Sequence, residues 1–488
     1  MNKVLQALFI ISILSLVSCV RIPSKPSNTL DEKTKWVDSI YNKMSLQEKV
    51  GQLFMAASYS NRDKSHTDSI QNLIKNNKIG GLIFFQGGPV RQAKLTNTYQ
   101  SISKVPLLIG IDGEWGLNMR LDSTSRYPFN MTLGAIEQND IIRKIGKQIG
   151  RDFKRLGIHL NFAPVVDINT NPKNPIIGVR SFGEDKVNVT KKAMAFTEGL
   201  QSEGILACAK HFPGHGDTDV DSHNTLPTIS FTQKRIDSVE LYPYKELFKN
   251  GLAGVMVAHL NVPSLENTDG LPSSLSHTIV SNILKVQLEF KGLVYTDALN
   301  MKGAANYKEP GDIDLAAFKA GNDVLLLSEN APKAISKIIE AYNSDDITEE
   351  RLSNSVKKIL AAKFTVGLNN FRPIEINGLI NDLNEKINAV LYKEAIGNAI
   401  TVIKNDEGIL PLQKSTNEKI AYLKLGDGNE VPFLNEIMSE GDIYNVSNFP
   451  KGDLMNKLKD YNKVIIGYHR KNSRATTVMT NEDKMLIE

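Results

Sequence analysis

From Leu53 onward the chain alternates short apolar runs with longer amphipathic stretches. The runs are LFMAAS (53–58), IGGLIFF (79–85), PLLIGID (106–112), IHLNFAPVVDI (158–168), ILACAKHF (205–212), AGVMVAHL (253–260), GLVYTDAL (292–299) and DVLLLS (323–328). Most are apolar throughout instead of alternating, the pattern of parallel strands covered on both faces. Between them, helical periodicity covers Ile141–Leu156, Val187–Glu203 and Ile236–Asn250. Eight such strands with intervening helices over ~300 residues predict a (β/α)8 barrel. A doubly wound open sheet is the competing arrangement of the same elements. The polar residues favour the barrel: Asp112, Asp167, Lys210, His211, His259 and Asp297 gather at the C-terminal ends of several different runs. Barrel enzymes build their sites on that face.

The pattern changes beyond Phe364. Residues 369–390 are polar and read as a linker, and the chain from 391 to 488 reads as a second α/β sandwich domain. Its expected strands are ITVIKN (400–405), KIAYLKLG (419–426), DIYNVSNF (442–449) and KVIIGYHR (463–470), and TNEDKMLIE reads as a helix in progress, so this domain is expected to be incomplete. The barrel is assigned to 35–368. At the other end, Lys3 precedes an apolar run from Val4 to Val17 that closes on Leu16-Val17-Ser18-Cys19. A basic start, an apolar core and small residues describe a secretory signal peptide over 1–18. The run is short of the ~20 residues of a transmembrane helix. Its L-V-S-C ending resembles a bacterial lipobox, which implies a lipid on Cys19 and a flexible tether over 19–34. The chain is then expected outside the cytoplasm, on the periplasmic or cell-surface side, touching a membrane only through that anchor.

Composition changes this picture little. The 488 residues are 41% hydrophobic and 23% charged, and the net charge of +4 comes from scattered lysines. Nothing argues for a nucleic-acid face. Cys208 is the only cysteine besides Cys19, so no disulfide framework exists, and its place in ILACA predicts core packing.

The chemistry concentrates in AKHFPGHGDTDVDSH, residues 209–223, which holds three of the eight histidines. One reading is a metal site of the kind found in metal-dependent barrel hydrolases. Against it, His211 and His215 straddle Phe-Pro-Gly, a turn and not a helix presenting ligands at i and i+4. The other reading is proton transfer. Asp297, following GLVYT, emerges at the mouth of the seventh strand as a candidate nucleophile. In D-S-H, Asp221 can orient His223 and favour its charged form, making it a candidate acid and then base. Nucleophile plus acid/base is the logic of retaining glycoside hydrolysis, with histidine in place of a carboxylic acid.

At these residues the chain resembles a known family. KHFPGHGDT followed by DSH is similar to the signature of glycoside hydrolase family 3, in its β-N-acetylglucosaminidase branch. IDGEWG (111–116), GVRSFGED (178–185), VMVAHL (255–260), VYTDAL (294–299) and ITVIKNDEGILPL (400–412) fall in the family's order, so the likeness covers about residues 40–430. The resemblance implies a retaining enzyme that removes terminal β-GlcNAc from cell-wall fragments or oligosaccharides, with neither metal nor organic cofactor. It implies Asp297 as nucleophile and His223 with Asp221 as acid/base. Asp112, Arg180, Lys210 and His211 would bind sugar hydroxyls, Arg120 matches a further arginine of the pattern, and His215 would shape the loop. His259 either touches substrate or supports Asp297. A β-glucosidase or a phosphorylase of the same family, a metal-dependent barrel hydrolase, and a non-catalytic saccharide-binding lipoprotein are the alternatives. One departure stands out: Glu114-Trp115-Gly116-Leu117 replaces the family's frequent E-G-G-R, which removes an arginine and is expected to add an aromatic at the rim.

Overall fold

A computed structural model describes residues 28–221, 225–412, 418–438, 443–448, 450–471 and 479–487. The signal peptide, Cys19 and most of the tether, together with His223, lie outside the described residues.

Eight parallel strands form one sheet: β1 (Phe54–Ser58), β2 (Gly81–Phe84), β3 (Leu108–Ile111), β4 (Leu160–Asn161), β5 (Leu206–Phe212), β6 (Gly254–Val257), β7 (Leu293–Thr296) and β8 (Leu325–Leu326). They pair in sequence order from β1 to β7, with β8 beside β1. Bonds from Asp323 N and Val324 N to Val294 O, and from Thr296 N to Val324 O, join β7 to β8 and close the barrel. The doubly wound alternative is thereby excluded. Each strand answers to one of the apolar runs, but most are shorter than the run that predicts them. β4 and β8 are two residues long; the rest of each run stays buried as irregular backbone joined to its neighbours by single bonds and bridges, such as Val165 with Lys210 and Val324 with Tyr295.

The helices form the outer layer. Helix α1 (Asn28–Tyr41) lies against the last barrel helix through Tyr41, whose hydroxyl donates to Glu349 at 2.5 Å. Helices α2 (Asn139–Arg155) and α3 (Lys186–Ser202) cross closely. Two glycines make that crossing possible: a Cβ on Gly199 would lie 2.2 Å from Arg143 O, and one on Gly146 would lie 2.5 Å from Phe196 O. The single helix expected over Ile236–Asn250 is instead two, α4 (Gln233–Ser238) and α5 (Tyr242–Lys249). Pro243 explains the break, since proline fits the first turn of a helix but not its interior. Helix α6 (Glu349–Thr365) ends the barrel.

Residues 369–390 run along the barrel wall and are tied to it. Arg155 donates to Glu375 O, Asn377 O and Asp382 at 2.6–3.1 Å, and Asn97 exchanges two hydrogen bonds with the backbone of Ile374. Beyond helix α7 (Lys386–Ala399), strands β9 (Ile420–Leu425), β10 (Ile443–Asn445) and β11 (Lys463–Tyr468) form a parallel sheet in the order β10-β9-β11. This sheet has its own small core of Ala421, Leu423, Leu425, Val446 and Leu454. The strand expected at 400–405 is absent: no described strand pairs with that segment, and Ile403 is 95% exposed. A strand needs a lateral hydrogen-bonding neighbour, which sequence propensity alone does not supply. Among the described residues, no helix is long and apolar enough to cross a membrane.

Candidate active site

The strand ends converge on a cleft of about 760 Å3, within the range of ~300–1,000 Å3 usual for small-molecule sites. Two carboxylates from the loop after β3 organise one wall. Asp112 accepts from Arg120 at 2.6 Å and from Lys210 at 2.8 Å. Glu114, with a fully buried side chain, receives a fork from Arg180, whose Nη2 lies at 2.7 Å, and lies 3.1 Å from the Lys210 ammonium. Burial alone would raise both carboxyl pKa values. The charges of Lys210 and Arg120 outweigh that effect at Asp112 and hold it far below the ordinary carboxylate range. At Glu114, burial is likewise outweighed by Arg180 and Lys210, bringing it to about 2. Asp112 is paired with Arg120 and Lys210, and Arg180 with Glu114.

Lys210 and His211 are adjacent on β5, where successive side chains ordinarily point to opposite faces. Both line the cleft because the pairing of β5 with β6 shifts register between Ala209 and Phe212, and such an irregularity re-aims side chains. Asp167, at the end of the fourth apolar run, fixes the histidines. Its Oδ2 lies 2.7 Å from His211 Nδ1, and its Oδ1 accepts from the backbone N–H of His215 at 2.7 Å. With Nδ1 donating to Asp167, His211 presents Nε2 to Arg180 at 3.3 Å. His215 shapes the turn, its Nδ1 lying 2.7 Å from Thr218 Oγ1. Burial pushes its imidazole down to about 4, so it is neutral near pH 7. Arg180 itself rides on a loop pinned by Asn174, which accepts from Ile176 N and Ile177 N and donates to His215 O.

Asp297 stands just past β7 and faces the cleft. Its own N–H donates to Val257 O, and its Oδ1 accepts from Ala298 N at 2.8 Å, which fixes the plane of the carboxylate. Burial would raise its pKa, but His259, His211, the Ala298 N–H and Lys210 together hold it below the ordinary value. His259 is wholly buried behind this turn, with Nδ1 2.7 Å from Ser274 Oγ and Nε2 3.0 Å from Ala298 O. It does not line the cleft. Of the two roles open to His259, substrate contact, under which it was grouped with the sugar-binding residues, does not fit this burial, and support of the Asp297 turn does.

The structure thus brings Asp112, Arg120, Arg180, Lys210, His211 and Asp297 to one cavity. Asp221 is partly buried outside the cavity wall, its carbonyl accepting from Thr225 N. Two functional candidates escaped sequence reasoning in their roles: Glu114, the counter-charge of Arg180, and Asp167, the anchor of both histidines. Trp115 is 7% exposed and sits edge-on to Phe129, so it is chiefly core and not a rim platform. The rim aromatics are Tyr59 and Phe85, which stack at 5.4 Å. Among the described residues no group of three or more His, Cys, Asp or Glu is arranged to hold a metal ion.

A cleft at the C-terminal mouth of a closed parallel barrel, walled by charged hydrogen-bonding groups with one carboxylate on the strand-seven turn, is the layout of a barrel enzyme for a small polar substrate. Comparison with known proteins defines it further. Residues 45–362 match the glycosyl hydrolase family 3 N terminal domain, and the chain belongs to that family. It is 33% identical over 391 residues to the beta-hexosaminidase A of Pseudoalteromonas piscicida, covering 73% of this chain and 64% of that protein's length. It is 28% identical over 417 residues to a beta-N-acetylglucosaminidase/beta-glucosidase of Cellulomonas fimi, covering 84% of this chain and 73% of the relative. Among solved structures, the family 3 beta-N-acetylglucosaminidase from Paenibacillus sp. str. FPU-7 superposes with a TM-score of 0.70 at 30% identity, covering 91% of this chain and 82% of that one.

Proposed function

We propose that this chain is a retaining, exo-acting β-N-acetylglucosaminidase that hydrolyses terminal β-GlcNAc from cell-wall fragments or chitin-type oligosaccharides. The observation that carries the reading is Asp297: an ionised carboxylate at the strand-seven mouth, its Oδ1 held by a backbone N–H, in a cleft of hydroxyl-binding groups. The likeness to the Pseudoalteromonas beta-hexosaminidase and the Paenibacillus beta-N-acetylglucosaminidase supports the GlcNAc assignment.

In the first step the second carboxylate oxygen of Asp297 attacks the anomeric carbon. The glycosidic C–O bond breaks, and the leaving oxygen takes a proton from His223, which Asp221 orients. In the second step water, deprotonated by the neutral imidazole, attacks the same carbon and releases Asp297. Asp112, Lys210, Arg180 and His211 hold the sugar hydroxyls, with Arg120 steadying Asp112. Lipidation at Cys19 would place the enzyme on the outer side of a bacterial membrane; mass spectrometry of the mature N-terminus from expressing cells checks it, and an unmodified, uncut N-terminus would remove the anchor.

Aryl β-GlcNAc and aryl β-glucoside, assayed with and without phosphate, test the activity. Preference for the GlcNAc substrate, with free sugar as product, is expected. A sugar-1-phosphate product would instead identify a phosphorylase. For the acid/base, His223→Ala is expected to hurt substrates with poor leaving groups most, since good ones need less protonation. Equal damage on all leaving groups would sink that assignment.

A further inference from the structure

Between β4 and α3 the chain reads DINTNPKNPIIGVR (167–180), with two Asn-Pro steps that suit turns over regular structure. The loop is bonded to itself. Asn174 N donates to Asn171 O, Lys173 N to Asn171 Oδ1, and Ile176 N and Ile177 N to Asn174 Oδ1. Its far end closes as a turn in which Arg180 N donates to Ile177 O and Ser181 N to Gly178 O. Asn130 Nδ2 then holds Arg180 O at 2.7 Å.

This fixed loop presents an apolar lip to the cleft. Pro172, Pro175, Ile176 and Val179 line it. The two prolines are exposed, and Ile176 and Val179 are half-buried, outside the barrel's main apolar cluster. Among the described residues, nothing lies within 4 Å of where a Cβ on Gly178 would stand, so the lip borders open space. Two observations place the lip relative to a substrate. First, it is tied to the turn after β5 that leads toward Asp221: Asn174 Nδ2 donates to His215 O at 2.8 Å, and Asn171 Nδ2 to Thr218 O at 3.3 Å. Second, Asp297 stands past β7, and in a ring of eight strands β3 is opposite β7 with β4 next to β3. Nucleophile and acid/base flank the scissile bond, so the leaving group departs on the side away from Asp297. That is the side of the lip.

We infer that Ile176 and Val179, flanked by Pro172 and Pro175, form a leaving-group subsite that favours an apolar face, an aryl ring or an alkyl-bearing sugar, over a plain hydroxyl-rich unit. The charged groups of the inner cleft hold the terminal sugar. The lip stands next to them: Arg180 Nη1 donates to Ile176 O at 3.4 Å, while Nε and Nη2 bind Glu114. The four side chains of the lip offer no hydrogen-bond partner, so a hydroxyl laid on them loses water without replacement, whereas an apolar face gains from leaving water. The loop's own hydrogen bonds keep the lip in shape, so little ordering opposes binding.

The inference rests on the glycosidase reading, and the test separates the two. Non-hydrolysable S-linked β-GlcNAc ligands, one with a methyl and one with a phenyl leaving group, are titrated into the wild type, Val179→Thr and the double variant Ile176→Thr/Val179→Thr. The phenyl ligand is expected to bind the wild type about fivefold to twentyfold more tightly than the methyl ligand, as covering about 40–70 Å2 of apolar surface implies. That preference should roughly halve in Val179→Thr, which keeps the shape of the side chain, and fall below about threefold in the double variant. The methyl ligand should bind all three proteins alike. Salt raised from about 50 to about 500 mM should leave the preference in place, since it is apolar and not ionic. An equal preference in all three proteins, a methyl ligand that weakens in step with the phenyl one, or no binding of either to the wild type would overturn the subsite. Turnover of the O-linked phenyl substrate by the wild type reports separately on the glycosidase reading.

Discussion

The charge cluster at the barrel mouth and Lys363 at its floor are buried in opposite ways. At the mouth, Asp112, Glu114, Arg120, Arg180 and Lys210 are desolvated together and paired with one another. At the floor, Lys363 on α6 is 0% exposed, and its Nζ donates to the neutral Gln52 Oε1 at 2.5 Å. No carboxylate of the described residues offsets its burial, which brings it down to about 7. His159, also at the floor, is pushed down to about 3 by burial and then by Lys363. Compensated charges give a fixed field that a polar ligand can meet without reorganisation. An uncompensated one loses its proton instead. The mouth is built for chemistry and the floor for packing.

The largest effect should come from the mouth. Asp297→Ala is expected to lower kcat on order of 10⁴-fold or more on aryl β-GlcNAc, since a removed nucleophile is not replaced by its neighbours. Because Asp297 is held below the ordinary carboxylate range, it stays ionised as pH falls, and the acid limb of kcat/KM should lie below pH ~4. An acid limb near pH 6 would place another group in control. Glu114→Gln should come next. It leaves the guanidinium of Arg180 and the ammonium of Lys210 buried with one counter-charge fewer, and breaking a buried pair costs roughly 3–5 kcal/mol. We expect kcat/KM to fall about 100-fold, with a lower Tm by calorimetry. Wild-type kinetics in Glu114→Gln would show that the compensation at the mouth is dispensable.

The barrel could be read from the sequence because its strands are covered on both faces and therefore appear as unbroken apolar runs. Their lengths could not. β8 pairs over two residues, although the run DVLLLS is apolar for longer, since pairing depends on neighbours and not on polarity. At the site, Asp112, Lys210, His211 and Asp297 were legible because each directly follows or ends an apolar run. Glu114 was not, for it reads as one more loop acid until Arg180, 66 positions on, folds onto it. Asp167 was visible as a strand-end acid, but its task appears only when the His211–His215 turn closes on it. Tyr59 and Phe85 lie at the ends of apolar runs, where nothing local marks a rim. The segment 400–405 shows the reverse failure: strong β-propensity without a described partner leaves Ile403 in solvent.

The smallest expected effect belongs to the floor, and it has the opposite sign. Lys363→Met keeps the volume and apolar stem of the side chain while removing the ammonium. In the wild type, the folded state gives up the proton near pH 7, whereas an unfolded lysine keeps it to about pH 10.5. Folded-state stability is therefore highest above pH 10.5, falls as pH drops toward 7, and bears the whole penalty below that. The variant escapes this penalty but leaves Gln52 Oε1 without its donor, at a cost of about 1–3 kcal/mol. We expect a net gain of about 1–3 kcal/mol below pH 7, shrinking and then reversing toward pH 10. Urea melts of both proteins at pH 6 and pH 9.5 read this directly. A difference between them that does not change with pH would mean that Lys363 keeps its charge in the fold, and the contrast between mouth and floor would then not hold.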